Sequence, residues 1–240
     1  MERIKHFAKL AALKLGLEIH RAGEFGGDPF RDMRRLTPAT RPVIFDVGAN
    51  IGQTVQHFRW HFARPIIHCF EPGRNAFQKL RDQTTRIPNI VLNNIALGFE
   101  SDSVVFNENT SSEMSSFLNL GPEGWGETER YTVQVDTLDN YCAHNSIHAV
   151  DILKIDTQGF ELQVLKGAEK LVAQHRIGLL FLEITFSKMY DSLPQLDEIY
   201  RYLVDRGFSL VTFYRFSYQG GRAGWTDALF AAETKPRAPG

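Results

Sequence analysis

Apolar residues recur at two spacings along this chain, and these spacings predict strands and helices in alternation. Short apolar runs typical of buried strands occupy 43–46, 66–70, 90–95, 151–155, 178–182, 208–213 and 227–231. Helical spacing occurs at 53–62, 75–81, 164–172 and 196–205. Buried strands joined by helical crossovers predict an α/β fold with a mostly parallel sheet and helices on both faces.

The N-terminal segment, 1–40, does not follow this alternation. One helical face of this segment holds Ile4, Phe7, Ala11 and Leu15. We predict a helical extension over 1–40, followed by one α/β domain over 41–235. The composition does not decide whether the extension caps the domain, forms a lid or contacts another chain, so assembly into a homo-oligomer stays open.

A second departure lies in the middle of the chain. Residues 103–106 and 131–135 have the pattern of paired antiparallel strands. The stretch between them, 107–130, is rich in Asn, Ser, Glu and Gly. Because a loop of this length in a compact domain is usually functional, we expect it to contribute to a binding site.

Composition narrows the class of protein. The 240 residues are 43% hydrophobic, which is enough for the core of one domain, and 27 basic residues balance 28 acidic ones. The resulting net charge of −1 argues against a dedicated nucleic-acid-binding protein. Two cysteines cannot form a disulfide framework, and they fit a reducing compartment. Neither a secretory signal nor a membrane span is recognisable, so we expect a cytoplasmic protein.

Acidic residues mark the ends of four predicted strands: Asp46, Glu71, Asp156 and Glu183. The carboxyl ends of parallel strands meet at one edge of a sheet, which is where ligands bind in such folds. Four carboxylates at this edge predict a site that prefers cationic or hydroxyl-rich ligands.

The loop after the first strand runs from Asp46 to Gly52 and leads into a helix. Gly48 is expected to let the backbone approach a ligand closely, and Asn50 tolerates left-handed backbone. Gly52 opens the helix, whose free N–H groups attract a carboxylate. The glycine spacing differs from the dinucleotide fingerprint, and Asp46 would repel a pyrophosphate.

The same acid would attract the ammonium and sulfonium groups of S-adenosylmethionine. Glu71, at the end of the second strand, is placed to accept both hydroxyls of a ribose. The loop and Glu71 together predict an S-adenosylmethionine site rather than a nicotinamide site.

Several motifs occur in an order that resembles the FkbM family of methyltransferases. They are the loop 46–52, Glu71-Pro72, Asn94-x-Ala96-Leu97, Thr137-Leu-Asp139, Lys154-Ile-Asp-x-x-Gly-x-Glu161 and Val164-Leu-Lys-Gly-Ala168. The resemblance implies a class I methyltransferase fold, which is Rossmann-like with a seven-stranded sheet and a reversed last hairpin. It also implies O-methylation of a small-molecule or carbohydrate acceptor.

The residues expected to bind the cofactor are Asp46, Gly48, Asn50, Gly52, Glu71, Asn94, Ala96 and Asp156. One departure from the family pattern is Gly73, which replaces the usual Asn and could loosen the turn beside the ribose. Whatever the family match implies, Thr137 and Asp139 are expected to cap a short helix.

Methyl transfer from a sulfonium requires alignment of the reactants and removal of a proton from the acceptor hydroxyl. Asp156 is the first candidate for that base or for positioning the acceptor, and Glu161 and Glu183 are further candidates. Glu161 has an alternative role in stabilising the first turn of a helix. We expect Lys154 to pair with Glu183. Ser115 and Ser116 are weaker candidates for contacts to acceptor hydroxyls.

Asp156, Glu161 and Glu183 could also hold a divalent cation, but nothing in the sequence requires one, and no metal is assigned. Two alternatives to the methyltransferase remain at this point. One is an NAD-dependent oxidoreductase on a Rossmann sheet, and the other is a catalytically inactive module that retains the cofactor.

Overall fold

The computed structural model describes residues 24–233, together with the helical positions 6, 7, 10–12 and 14. Of the apolar face predicted for the N-terminal helix, Ile4 and Leu15 lie outside the described residues, whereas Phe7 and Ala11 are exposed.

Strands and helices alternate through most of the described chain. The strands are β1 (Val43–Val47), β2 (Ile66–Phe70), β3 (Ile90–Asn93), β4 (Ala96–Leu97), β5 (Asp102–Asn109), β6 (Thr128–Asp136), β7 (Val150–Ile155), β8 (Ile177–Thr185), β9 (Phe208–Phe213), β10 (Ser217–Gln219) and β11 (Arg222–Ala232). The α-helices are α1 (Pro29–Leu36), α2 (Gln53–His61), α3 (Arg74–Thr84), α4 (Leu138–His144), α5 (Glu161–Lys166), α6 (Glu169–Ala173) and α7 (Leu196–Val204). A short 3₁₀ helix covers Ser112–Met114.

The main sheet has the strand order β3-β2-β1-β7-β8-β11, and β9 and β10 both pair with β11. The pairs from β3 to β8 are parallel, whereas β11 runs antiparallel to β8, β9 and β10. This is the predicted mostly parallel sheet with a reversed last hairpin, and the short β10 adds an eighth strand. A second sheet of order β4-β6-β5 contains the predicted antiparallel pair.

Two apolar cores cover the faces of the main sheet. One packs α4, α5, α6 and α7 against side chains such as Phe45, Leu153 and Leu180. The other packs α1, α2 and α3 against Ile44, Ile152 and their neighbours. Alternate residues of each central strand point to opposite faces, so a strand needs apolar residues at nearly every position, as the sequence pattern indicated.

Several predicted elements differ from the observed ones, three of them as follows. The third strand ends at Asn93, because Ala96–Leu97 turns away to join the second sheet. The helix predicted over 164–172 is divided at Gly167, where a Cβ atom would lie 1.9 Å from the carbonyl oxygen of Gly98. The strand predicted to end before Glu183 continues to Thr185, so Glu183 lies inside β8.

The Thr137-Leu-Asp139 motif caps two helices. The Thr137 hydroxyl accepts a hydrogen bond from Asn140 N and begins α4. The Asp139 carboxylate accepts from Lys170 N and Leu171 N, so it binds the first turn of α6. The capping expectation is confirmed, with the motif serving two helices instead of one.

Gly48 is required by contact between the ends of β1 and β7. Its φ is +74°, and a Cβ atom at this position would lie 1.8 Å from the carbonyl oxygen of Asp156. The close approach of two backbone segments is therefore a second reason for this glycine, and the expected close approach to a ligand stays a prediction.

We predict that Gly48→Ala lowers the free energy of unfolding by roughly 2–5 kcal/mol, the sum of a left-handed Ala and an overpacked contact. Gly221→Ala is the matched control, because Gly221 has φ +76° and no heavy atom within 4 Å of the added Cβ. The control should lose only the backbone part, about 1–2 kcal/mol. Equal losses in urea denaturation would show that the contact with Asp156 does not matter.

Candidate active site

A cavity opens at the carboxyl edge of the main sheet. Its lining combines an apolar wall with a few polar groups, which is the usual composition of a small-molecule site. The lining residues are Val47, Gly48, Asn50, Phe70, Glu71, Pro72, Ala96, Leu97, Phe106, Ser112, Glu113, Ser115, Phe117, Asp156, Thr157 and Gln158.

The loop after β1 contributes Gly48 and Asn50 to this lining. Asn50 adopts left-handed backbone with φ +47°, as expected from the sequence, and its side-chain oxygen is buried without a hydrogen-bond partner. Gly52 precedes α2 with φ +96°, outside the lining. Asp46 lies below the loop with no exposed surface, so of the four predicted loop residues only Gly48 and Asn50 face the cavity.

Glu71 lies at one end of the cavity and is 6% exposed. Its two carboxylate oxygens accept hydrogen bonds of 2.8 Å from Asn50 N and Gly73 N. Burial raises the pKa of Glu71 to about 7, although these two N–H donors favour the ionised form. The backbone N–H of residue 73 therefore closes the turn beside Glu71, and the expectation that glycine loosens this turn stays a prediction.

Asn94 and Ala96 support this end of the site in different ways. The Asn94 amide donates to the carbonyl oxygens of Glu71 at 2.8 Å and Pro72 at 3.3 Å, and so holds the turn that carries the carboxylate. Ala96 lies in the cavity wall.

Glu108 is a structural residue of the site that sequence reasoning missed. Its carboxylate accepts from Asn75 N at 2.8 Å and from the Tyr131 hydroxyl at 2.7 Å, which caps α3 from the second sheet. The stretch 107–130 was interpreted as one loop, but β5 continues to Asn109. No local signal identifies a cap that comes from another sheet.

Lys154 carries a buried ammonium group at the ends of β1 and β7. Its Nζ lies 3.0 Å from Asp46 Oδ1, 3.1 Å from the Gly48 carbonyl oxygen and 3.5 Å from Asp156 Oδ2. Burial alone would lower the pKa of Lys154, but the carboxylates of Asp46 and Asp156 outweigh it and raise the pKa. The predicted ion pair between Lys154 and Glu183 is wrong, because Asp46 is the residue in register with Lys154.

Asp156 follows β7 and faces the cavity with 38% of its side chain exposed. The Gln158 amide donates 2.9 Å hydrogen bonds to Asp156 Oδ1 and to Glu183 Oε2. Glu183 is partly buried, outside the cavity lining, and opposite Asp227 in the β8–β11 pair. Burial, reinforced by the charges of Asp156, Glu161 and Asp227, raises the pKa of Glu183 well above its usual range.

Glu161 lies beneath the turn that carries Asp156 and is 3% exposed. Its Oε1 accepts from Thr157 N at 2.9 Å and from Gly159 N at 3.1 Å. Its contacts therefore hold the turn in place, and it does not line the cavity.

The polar stretch supplies a wall of the cavity through Ser112, Glu113, Ser115 and Phe117. Ser116, in contrast, is 1% exposed and donates a 2.7 Å hydrogen bond to the Gln158 carbonyl oxygen. The two candidate serines therefore differ, since only Ser115 faces the cavity.

Within the part of the chain that the structure describes, no group of three or more His, Cys, Asp or Glu side chains could hold a metal ion. None of the described helices is long and apolar enough to cross a bilayer.

Comparison with known proteins places this site in a wider context. The family model of the methyltransferase FkbM domain matches residues 46–210. The chain is 21% identical over 173 residues to the 2-O-methyltransferase NoeI of Sinorhizobium fredii, covering 67% of this chain and 70% of NoeI. It is 27% identical over 125 residues to the hexuronic acid methyltransferase AglP of Haloferax volcanii, covering 52% of this chain and 49% of AglP.

Among solved structures, an rRNA methylase from Streptococcus thermophilus has a TM-score of 0.51 and 13% sequence identity, covering 85% of this chain and 94% of that one. At this identity the similarity concerns the fold.

We predict that Lys154→Met destabilises the protein by about 3–5 kcal/mol, because it leaves Asp46 buried without its cation. The double variant Asp46→Asn with Lys154→Met should recover part of this loss, since it removes the orphaned charge. Lys170→Met is the control, because position 170 is an exposed position of α6. The control should change stability by less than about 0.5 kcal/mol. If urea denaturation gives Lys154→Met the same small loss of stability as the control, a structural role for the buried ammonium is refuted.

Proposed function

The chain belongs to the FkbM methyltransferase domain family and is an S-adenosylmethionine-dependent O-methyltransferase, and we propose that its acceptor is a carbohydrate hydroxyl. The observation that carries the proposal is that two different carboxylates line the same cavity. The carboxylate of Glu71 is buried, and that of Asp156 is partly exposed.

The residues of this cavity fit the cofactor. Glu71 retains acceptor capacity for two ribose hydroxyls, since each oxygen is used by only one N–H group. The apolar wall of Leu97, Phe106 and Phe117 suits a flat aromatic base. The unpartnered oxygen of Asn50 offers a further acceptor for an ammonium or hydroxyl group. When bound, S-adenosylmethionine supplies a methyl group already activated by the positive charge on sulfur.

The fit is poorer for a nicotinamide dinucleotide. The cavity lining contains neither Lys nor Arg, and the nearby ammonium of Lys154 is held by Asp46, Asp156 and the Gly48 carbonyl. A pyrophosphate would meet carboxylates without a compensating cation.

We assign the acid–base role to Asp156. Its carboxylate is 38% exposed at the cavity surface. A carboxylate in this position can accept the proton of an incoming hydroxyl. Lys154 and the Gln158 amide both contact Asp156 and fix the position of its carboxylate.

The carbohydrate acceptor is supported by two observations. NoeI and AglP, both relatives of this chain, are named as a 2-O-methyltransferase and a hexuronic acid methyltransferase. The cavity that Asp156 lines also presents Ser112, Glu113 and Ser115, whose side chains can hydrogen-bond to hydroxyl groups.

The direct test has a binding arm and a transfer arm. Calorimetry should show saturable binding of S-adenosylhomocysteine and no response to NAD. In the transfer arm, the enzyme is given S-adenosylmethionine with a labelled methyl group and a panel of acceptors. The label should appear on hexosides, deoxyhexosides or hexuronic acid glycosides, but not on catechols or aliphatic alcohols. Transfer only to the non-carbohydrate hydroxyls would refute the acceptor class. Binding of NAD alone would refute the cofactor, and binding without transfer would favour an inactive module.

We predict that Glu71→Gln weakens S-adenosylhomocysteine binding by roughly 1.5–3 kcal/mol, the scale of a charge-assisted hydrogen bond. The wild-type pKa near 7 adds a pH dependence, because only the ionised carboxylate accepts hydrogen bonds at both oxygens. Between pH 6 and pH 8 the wild-type affinity for S-adenosylhomocysteine should therefore rise. The rise is at most about tenfold per pH unit below the pKa, and the affinity levels off above it. The variant should lack this dependence.

The stability of the ligand-free protein should change with pH in the opposite direction, so that it falls as the pH rises. A carboxyl group whose pKa is raised on folding binds its proton more tightly in the folded state, so its ionisation between about pH 4.5 and 7 opposes folding. Glu100→Gln is the control for both measurements, because Glu100 is exposed and outside the cavity lining. Wild-type affinity that is flat across pH 6–8 would contradict the role assigned to Glu71.

We predict that Asp156→Asn lowers methyl transfer by about 10²-fold or more, as expected for loss of a general base. Its affinity for S-adenosylhomocysteine should change much less, because the carbonyl oxygen of Asn keeps the shape of the site. Asp151→Asn, near the opposite end of β7, should retain activity. A variant at position 156 with near-wild-type turnover would remove Asp156 from the chemistry.

A further inference from the structure

The side chain of Gln158 contacts three other side chains: Asp156, Glu183 and Tyr190. Its Nε2 donates 2.9 Å hydrogen bonds to Asp156 Oδ1 and Glu183 Oε2, so both amide hydrogens are used on carboxylates. Its Oε1 accepts a 3.0 Å hydrogen bond from the Tyr190 hydroxyl. Of these residues, the methyltransferase mechanism above uses only Asp156.

The two carboxylates and the Tyr190 hydroxyl agree on which way the amide points, and the hydroxyl also lies 3.6 Å from Met114 Sδ. The tyrosine is 3% exposed, and burial raises the pKa of its hydroxyl, so the group remains a donor. A donor on this side requires the amide oxygen of Gln158, which leaves the NH₂ group for the carboxylates. The reversed orientation would direct the amide oxygen at two negative charges.

The backbone of Gln158 is held independently of its side chain. Its φ is +56°. This value lies in the left-handed region that non-glycine residues rarely adopt. Ser116 donates to its carbonyl oxygen, and Glu161 accepts from the N–H groups of both neighbouring residues. A change at the side chain should therefore alter the amide contacts without unfolding the turn.

The two carboxylates need these donors because their surroundings are predominantly acidic. The titratable groups that face Asp156 and Glu183 are Asp46, Lys154, Glu161, Tyr190 and Asp227. Lys154 is the one cation of this set, and it contacts Asp156 but not Glu183. Without the Gln158 amide, Glu183 would lose the hydrogen-bond donor that favours its ionised form, and Asp156 would lose the contact that fixes its Oδ1.

We propose that Gln158 is a positioning residue for methyl transfer, whose amide, oriented by Tyr190, holds Asp156 and Glu183 in place as hydrogen-bond acceptors. The proposal rests on the proposed function, because it assigns Asp156 the acceptor's proton.

The test is a carboxyl ¹³C NMR titration of the full-length protein with labelled Asp and Glu, with the Glu183 and Asp156 resonances assigned from Glu183→Gln and Asp156→Asn. Gln158→Met removes both donors at similar length, and the titration midpoints of the pair should rise by about one pH unit or more. Tyr190→Phe should shift them in the same direction by less, since it frees the amide to rotate. Gln78→Met is the control, because Gln78 donates to Asp82 on the exposed surface of α3.

Unchanged midpoints for Glu183 and Asp156 in a folded Gln158→Met protein would overturn the proposal. If that variant does not fold, Gln158→Asn supplies the same test, because it keeps an amide suited to left-handed backbone but is too short to reach both carboxylates. S-adenosylhomocysteine binding is measured in parallel. A wild type that does not bind it refutes the proposed function, whereas the carboxyl titration still decides the role of Gln158 in the pair. A merely structural role would lower stability and leave both midpoints in place.

Discussion

The site depends on one buried cation, the ammonium group of Lys154 between the ends of β1 and β7. Its contacts with Asp46, Asp156 and the Gly48 carbonyl join the first loop to the turn that carries the candidate base. A buried ion pair of this kind contributes little net stability, but it is costly to leave incomplete. The same constraint explains Gly48, since any side chain there would separate the two backbones that Lys154 holds together.

Around this cation the edge of the sheet creates two different environments for carboxylates. Glu71 is enclosed, receives two backbone N–H groups and has a pKa near 7. Asp156 is partly exposed and contacts an ammonium and an amide. Acid–base roles are commonly separated in this way, by surroundings rather than by residue type. The enclosed carboxylate of Glu71 is thereby suited to hold hydroxyl groups in a fixed position. The partly exposed carboxylate of Asp156 is suited to accept a proton.

The pattern of apolar residues was sufficient to predict the main features of the sheet, and motif spacing was sufficient to predict Asn50, Glu71 and Asp156 in the cavity. Neither pattern was sufficient to predict the partner of Lys154. The reason is that β7 lies between β1 and β8, and each of these neighbours carries an acidic residue. Register decides between them: Lys154 is opposite Asp46 on one side and Phe181 on the other, which leaves Glu183 two residues further along. Glu108 was missed because its role depends on a strand distant in sequence from the helix that it caps.

Gln158 is held by segments outside the repeating α/β pattern. Ser116 comes from the polar stretch and Tyr190 from the segment after β8, and both bind Gln158. Glu71, in contrast, is held by the turns after β1 and β2, which follow the central strands directly. Exchange of residues in the outer segments could therefore alter the acceptor without disturbing the sheet or the carboxylate at Glu71. This division agrees with a fold in which the loops rather than the scaffold determine the substrate.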